Sequence, residues 1–387
     1  MVRAPDRATQ KRPDRDVYVL GVGLHPFGRF PDKTIHQMSQ EAVRAALKDG
    51  GIRLSDIQVA YFGHVYYYGM SVGEEVLAGL GLTGIPVINV ENACSSGSTG
   101  FWQAYWNVAT GVFDVALAFG SEKVPRGAVT TRAADSHERL TGADHMMAIY
   151  GLRMRRYMHD HGAPVDAIAQ VAVKSHHNAT LNPYAQHQKE FTLADVLESR
   201  PIADPVTLHQ CCPTSEGAAA AILCAKDVAQ RYDPGLKRSV RVAGAALRVQ
   251  PFHDRQVDNP DVTELAAREA FQIADMTPAD VDLAQVHDAA TVGELIQIET
   301  LGLVSEGQGW RYTVEGRTSL AGDLPVNTDG GLLAMGHPFG ASGIRMIHEL
   351  VTQIRGEAGS RQVKKARVGI AQCSGWGGVS TVHILAK

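Results

Sequence analysis

EAVRAALKDGGIRLSDIQVAYFG, residues 41–63, lies without a gap over LAAREAFQIADMTPADVDLAQVH, residues 265–287. Identities fall at Ala42/Ala266, Arg44/Arg268, Ala46/Ala270, Asp56/Asp280 and Ala60/Ala284. Five identities in 23 positions are few, so the weight rests on the shared order of elements. Each copy reads as helix, turn and buried strand. In the first, Ala42, Val43, Ala46 and Leu47 share one helical face, and Gly50-Gly51 stop the helix. Working outward, VYVLGVGLHPFG from Val17 and VRVAGAALRV from Val240 both read as buried strands. FDVALAFGSE (113–122) resembles ARVGIAQCSG (366–375). An internal duplication follows: two similar α/β halves covering a shared core. Because strands alternate with helices, each half is expected to carry a parallel sheet.

These landmarks divide the 387 residues. Residues 1–15 are expected to be a disordered lead. Residues 16–122 with 206–235 form the amino-terminal half, and 236–387 the carboxy-terminal half. Residues 123–205, rich in His, Met, Arg and Tyr, read as an inserted loop domain, a usual place for substrate contacts.

Net charge is −4 with no long run of one sign, so no footprint for nucleic acid is visible. No apolar stretch reaches the roughly 18 residues that a membrane span needs. The first residues, MVRAPDRATQKRPDRD, lack the apolar core of a secretory signal. Five cysteines (94, 211, 212, 224 and 373) match neither a disulfide framework nor the spacing of a zinc site, and no metal is expected. A reducing bacterial cytoplasm is the default compartment. The adjacent pair in HQCCPTS reads as part of a packed strand region.

Three glycine-rich turns carry candidate chemistry. Cys94 in NACSSGSTG follows the apolar run IPVINV and precedes the helical GFWQAYWNV, which places its sulfur at a helix amino terminus that favours thiolate. A packed structural cysteine is the alternative. His337 lies in GGLLAMGHPFGASGIR, a loop whose backbone freedom suits bringing an imidazole to a reaction centre. Cys373 in GIAQCSGWGG ends an apolar strand and could act as a general acid or base. His287 in QVHDAATVGEL stands at the ligand-facing rim of a strand.

NACSSGS, HDAA, GHPFGASG and CSGWGG, in that order, resemble the thiolase superfamily over nearly the whole chain. Within it they are most similar to sterol-carrier-protein-2-type thiolases and thiolase-like lipid-transfer proteins. The resemblance implies a duplicated, five-layered αβαβα fold. It implies that Cys94 is acylated, that His337 activates it, and that Cys373 moves the proton at the substrate α-carbon. His287 and His337 would form one oxyanion hole, and the backbone N–H groups of Cys94 and Gly375 the other. Coenzyme A would be a co-substrate, with no permanently bound cofactor.

The motif that reads HDAA departs from the family, which has bulkier residues there. Ala289 and Ala290, with Met146 nearby in the loop domain, suggest a roomier pocket for a bulky, branched or aromatic acyl chain, as in benzoylsuccinyl-CoA. A retro-aldolase acting on a β-hydroxyacyl-CoA and a non-catalytic acyl or lipid carrier are the competing readings. The resemblance also implies a homodimer core, and in some relatives a small zinc-ribbon/OB-fold partner protein.

Overall fold

The structure, a computed structural model, describes residues 13–66, 68–81, 84–130, 139, 144–250 and 261–387. The amino-terminal half runs β1 (Val17–Leu24), α1 (Ile35–Gly50), β2 (Val59–Gly63), α2 (Val72–Ala78), β3 (Val87–Val90), α3 (Ser96–Ala109) and β4 (Val115–Lys123). Next come α4 (Met146–His161), α5 (Val165–Thr180), α6 (Leu193–Leu197) and a short hairpin, β5 (Pro201–Ala203) with β6 (Val206–Thr207). The chain then returns as β7 (Glu216–Ala225) and α7 (Lys226–Tyr232). The second half runs β8 (Val240–Val249), α8 (Val262–Ala274), β9 (Leu283–Gln285), α9 (Thr291–Thr300), α10 (Gly309–Val314), α11 (Gly331–Ala334), α12 (Phe339–Arg355), β10 (Val368–Gly375) and β11 (Val379–Ala386).

The two halves share one hydrogen-bonding plan. Ala60 of β2 pairs in parallel with Leu117 of β4, and Ala284 of β9 pairs in parallel with Ile370 of β10. β3 flanks β2 from Ala60 outward, and Val326 forms the matching bridge to Ala284. The strands form one ladder in the order β3-β2-β4-β7-β1-β8-β11-β10-β9. A three-residue antiparallel contact between β1 and β8 joins the halves. The expected parallel sheet is thus corrected to a mixed one. β7 runs antiparallel to β4 and β1, and β11 runs antiparallel to β10 and β8. Alternation of strand and helix described only the crossover units; β7 and β11 follow a long insertion and a tight turn, which impose no parallel crossover.

The helices stack in layers on this ladder. α1 covers β1, β7 and β4 from outside, and α8 covers β8 and β11. α3 and α12 pack on each other and on strands of both halves, forming the middle layer. The identities in the repeat have packing reasons. Ideal Cβ atoms built at Gly23 and Gly21 would meet Ala42 O and Ala46 O at 2.1 and 2.3 Å, and one at Gly244 would meet Ala270 O at 2.3 Å. Each helix therefore lies closer to its strand than larger side chains would allow. Asp56 and Asp280 both accept a backbone N–H at the start of a short turn, from Arg53 (3.3 Å) and Thr277 (2.8 Å).

Of the expected disordered lead, residues 1–12 lie outside the described residues, while Arg15 is ion-paired to Asp114 at 2.5 Å. HQCCPTS is not strand: Leu208–Gln210 is a single 3-10 turn, Cys211 makes one isolated bridge to Ala290, and β7 begins only at Glu216. Among the described residues no helix is long and apolar enough to cross a membrane.

Candidate active site

The middle-layer helices α3 and α12 bring their amino termini together. Cys94 stands two residues before α3, and His337 two residues before α12. Such an approach is possible because no side chains intervene: an ideal Cβ at Gly97 would lie 2.2 Å from Gly340 O, and one at Gly343 would lie 2.4 Å from Ser98 Cβ.

Cys94 sits on a tight elbow. Ala93 takes φ 50°, a left-handed conformation uncommon for a residue with a Cβ and typical of functional turns. The small polar residues of the motif hold it there. Ser96 Oγ donates to Ala93 O (2.6 Å) and accepts from Asn92 N (2.9 Å), and Asn92 Nδ2 donates to Thr99 Oγ1 (3.0 Å). Ser95 Oγ donates to Cys373 O (3.2 Å), tying the elbow to β10.

His337 is fixed on both sides. Its backbone N–H donates to Ser215 Oγ (2.9 Å), and its Nδ1 lies 2.8 Å from Ser342 Oγ. Ser342 has one hydroxyl proton and donates it to Pro338 O at 2.8 Å. The Ser342 oxygen must then accept from Nδ1–H, which leaves the lone pair on Nε2. That Nε2 is buried and has no hydrogen-bond partner among the described residues. Sγ of Cys94 and one ring nitrogen each of His287 and His337 all lie within 4.8 Å of one another.

His287 lies two residues past β9, its backbone N–H donating to Gln372 Oε1 (3.1 Å). Its ring meets that of His337 edge-on at 5.2 Å. Cys373 Sγ is 3.8 Å from His287 Nδ1 and donates to Cys94 O at 3.3 Å. Gly375 abuts the elbow: an ideal Cβ there would sit 2.2 Å from Asn92 O, so only glycine fits. All five central expected residues, Cys94, His287, His337, Cys373 and Gly375, therefore converge.

Electrostatically the centre is neutral at rest. Burial pushes the Cys94 thiol well above its ordinary range, with Cys373 and Glu122 adding to the effect. The helix terminus, worth up to ~2 kcal/mol for a charge, favours the thiolate and so opposes that burial. Burial likewise raises Cys373 to about 12 and lowers His287 to about 3. His337 falls well below the usual imidazole range through burial, helped by His287 and Arg345. Arg345 is itself buried and bonds both oxygens of Asp329 (2.8 and 2.7 Å) and Gln285 Oε1 (2.7 Å).

The surroundings of Cys94 are apolar: Val124 and Phe339, with Val65, Tyr66 and Val129 partly buried against them. The Phe339 ring meets His337 at 4.7 Å and stacks on Tyr66 at 6.0 Å. Met146 joins this wall indirectly, its N–H donating to Val129 O at 3.1 Å. Ala289 and Ala290 are buried beneath the 211–212 segment, where Cys212 N donates to Ala289 O at 2.9 Å.

Four contributors escaped sequence reasoning: Ser342, Ser215, Glu122 and Arg345. Glu122 is a fully buried carboxyl that accepts from the backbone N–H of Val65 (2.9 Å), Tyr66 (3.3 Å) and Gly340 (3.3 Å). A carboxylate ending the apolar run FDVALAFGSE was a usable signal. So was a hydroxyl five residues after His337, at the first turn of the next helix.

Two family models match the chain: "Thiolase, N-terminal domain" over residues 17–227 and "Thiolase C-terminal domain-like" over 249–387. The chain belongs to the thiolase family, and its reaction class is acyl transfer. It is 38% identical to an acetyl-CoA acetyltransferase of Methanothermobacter thermautotrophicus, over 96% of this chain and 100% of that protein. It is 36% identical to the benzoylsuccinyl-CoA thiolase subunit BbsB of Thauera aromatica, over 94% and 96%. Sterol carrier protein 2 of Rattus norvegicus is 34% identical over 95% of this chain and 71% of that protein. Among solved structures, the Ltp2-ChsH2(DUF35) aldolase superposes with a TM-score of 0.83 at 25% identity, covering 97% of this chain and 98% of that one. Human mitochondrial 3-ketoacyl-CoA thiolase in complex with CoA superposes at 0.72 with 18% identity, covering 96% and 98%, and shares the fold.

Proposed function

We propose that this chain cleaves a bulky, branched or aromatic β-ketoacyl-CoA with coenzyme A, through an acyl-enzyme on Cys94. One observation carries the reading: His337 Nε2 is buried and unpartnered among the described residues, with Nδ1 held by Ser342, in the same small cluster as Cys94 Sγ. Coenzyme A is here a substrate and not a resident cofactor.

The steps follow from the neutral resting site. As Cys94 Sγ attacks the β-keto carbon, its proton passes to His337 Nε2. Backbone N–H groups of Cys94 and Gly375, and the paired imidazoles of His287 and His337, stabilise the oxyanions. The Cα–Cβ bond breaks, and the departing enolate takes the proton of Cys373 Sγ. The Cys373 thiolate next takes the proton of coenzyme A, whose thiolate attacks the acyl group. Cys94 leaves and recovers its proton from His337. Buried neutral acids suit this sequence, because charge develops on them only once the substrate has reacted.

The substrate reading rests on the apolar wall around Cys94 and on likeness to the benzoylsuccinyl-CoA thiolase subunit; Ala289 and Ala290, covered by the 211–212 segment, belong to the main core and not to that wall. The retro-aldolase reading draws on the aldolase neighbour; an aldol cleavage, however, needs no nucleophilic thiol, and this site is built around one. Cleavage assays with aromatic and acetoacetyl thioesters separate the possibilities. The proposal expects strict dependence on coenzyme A and preference for the bulky thioester. Preference for acetoacetyl-CoA would contradict the substrate reading, and cleavage without coenzyme A would favour the aldolase.

A homodimer is also proposed. β3 ends the sheet with its outer edge unpaired among the described residues, and Ile88 on it is 37% exposed. A small zinc-ribbon/OB-fold companion protein is proposed because one relative is a subunit and the aldolase neighbour is a two-component complex.

A further inference from the structure

We propose that Cys94, His287 and His337 also form a binding site for a soft divalent cation, zinc foremost, whose occupancy excludes acyl substrates. The three residues are far apart in sequence, and no short-range cysteine or histidine spacing announces them. Folding brings one sulfur and two ring nitrogens within 4.8 Å of one another, all buried. A zinc ion with bonds of about 2.3 Å to sulfur and 2.0–2.1 Å to nitrogen holds its ligands roughly 3.3–3.6 Å apart. The cluster therefore needs to contract by about 1 Å, within the reach of small side-chain rotations.

A second observation points the same way. His337 Nε2 is buried, unpartnered and carries its lone pair, while Nδ1–H is committed to Ser342. A metal-binding histidine is held in that same manner, its second nitrogen fixed by a hydrogen-bond acceptor. A water completes the four-coordinate set. The donors are sulfur and imidazole. The nearby carboxylate Glu122 is occupied by three backbone N–H groups. Such a set selects zinc, cadmium or cobalt over magnesium or calcium. Binding replaces the Cys94 Sγ proton by the metal and releases that proton to solvent; no electron is transferred. Occupied, the site has neither a nucleophile nor a free base.

The site does not depend on which thioester the enzyme cleaves, so its test is separable from the substrate question. Cobalt(II) is added to the full-length, metal-free protein under argon, and its visible spectrum is recorded. The proposal expects intense tetrahedral bands with a sulfur-to-cobalt charge-transfer band. That band should be lost in Cys94→Ala and retained in a Cys211→Ser/Cys212→Ser variant. In parallel, one equivalent of zinc should slow alkylation of Cys94 by iodoacetamide about ten-fold or more, as expected of a metal-held thiolate, and EDTA should restore it. Two results would overturn the proposal. One is a spectrum without charge transfer, as cobalt held by nitrogen and oxygen ligands alone would give. The other is alkylation of Cys94 that zinc does not slow.

Discussion

The two halves share a plan and differ where it matters. By the repeat, Gly63 corresponds to His287, and Gly120 of β4 corresponds to Cys373 of β10. In the first half both positions are glycine because helix starts press on them, α3 on Gly63 and α12 on Gly120. An ideal Cβ at Gly63 would lie 2.5 Å from Gly97 N, and one at Gly120 would lie 1.9 Å from Gly340 O. In the second half the same two slots hold an imidazole and a thiol. The helix termini do not follow that split: Cys94 stands ahead of α3 and His337 ahead of α12. One half surrenders side chains so that backbone can pack closely; the other fills the equivalent space with the groups proposed to move protons. Duplication thus supplied a scaffold, and asymmetry supplied the chemistry.

Removing the proposed nucleophile should have the largest effect. Cys94→Ala is expected to lower kcat by about 10⁴-fold or more, as for other covalent nucleophiles, with the fold unchanged by circular dichroism. Exchanging the paired slots tests the comparison itself. Gly120→Ala should destabilise the protein by about 3 kcal/mol, because the methyl group meets the Gly340 carbonyl. Cys373→Gly should leave the fold in place and remove the proton donor, for a loss of about 10²–10⁴ in kcat. Equal loss of melting temperature in both variants would show that the two slots are not opposed in role.

Ser342→Ala sharpens the account of His337. Without the acceptor, the imidazole is free to take the other tautomer, and kcat should fall about ten-fold or more with KM little changed. Ser342→Thr should recover most of the loss. A change in KM alone would make Ser342 a packing residue.

The smallest effect concerns pH. Burial raises Glu122 to about 7 from the ordinary 4.5, against the backbone N–H groups that lower it. Between those values the native state keeps a proton that the unfolded chain has released. The stability from this group is complete below about 4.5 and is lost as pH rises through about 7. Glu122→Gln should flatten that decline in Tm against pH; an unchanged slope would assign it elsewhere.

Much of this was legible in the chain. The repeat at 41–63 and 265–287 located α1, β2, α8 and β9 in correct register, because small residues and capping aspartates recur where helices press on strands. The turns around Cys94, His337 and Cys373 stood out because tight backbone approach leaves a glycine signature. Strand direction did not: β7 and β11 carry the same apolar composition whichever way they run. The neutral resting site was hidden too, since burial of Cys94 arises from elements hundreds of residues away. Ser342 and Arg345 looked like ordinary helix residues until the helix amino terminus was placed beneath the two imidazoles.

The central claim is that Cys94 carries the acyl group between the two half-reactions. The direct measurement is mass spectrometry of the protein after rapid mixing with an aromatic β-ketoacyl-CoA, first without and then with free coenzyme A. The account predicts an acyl adduct on the peptide containing Cys94 that builds up in the first case and disappears in the second. Turnover with no adduct at Cys94, or an adduct that persists in Cys94→Ala, would contradict it.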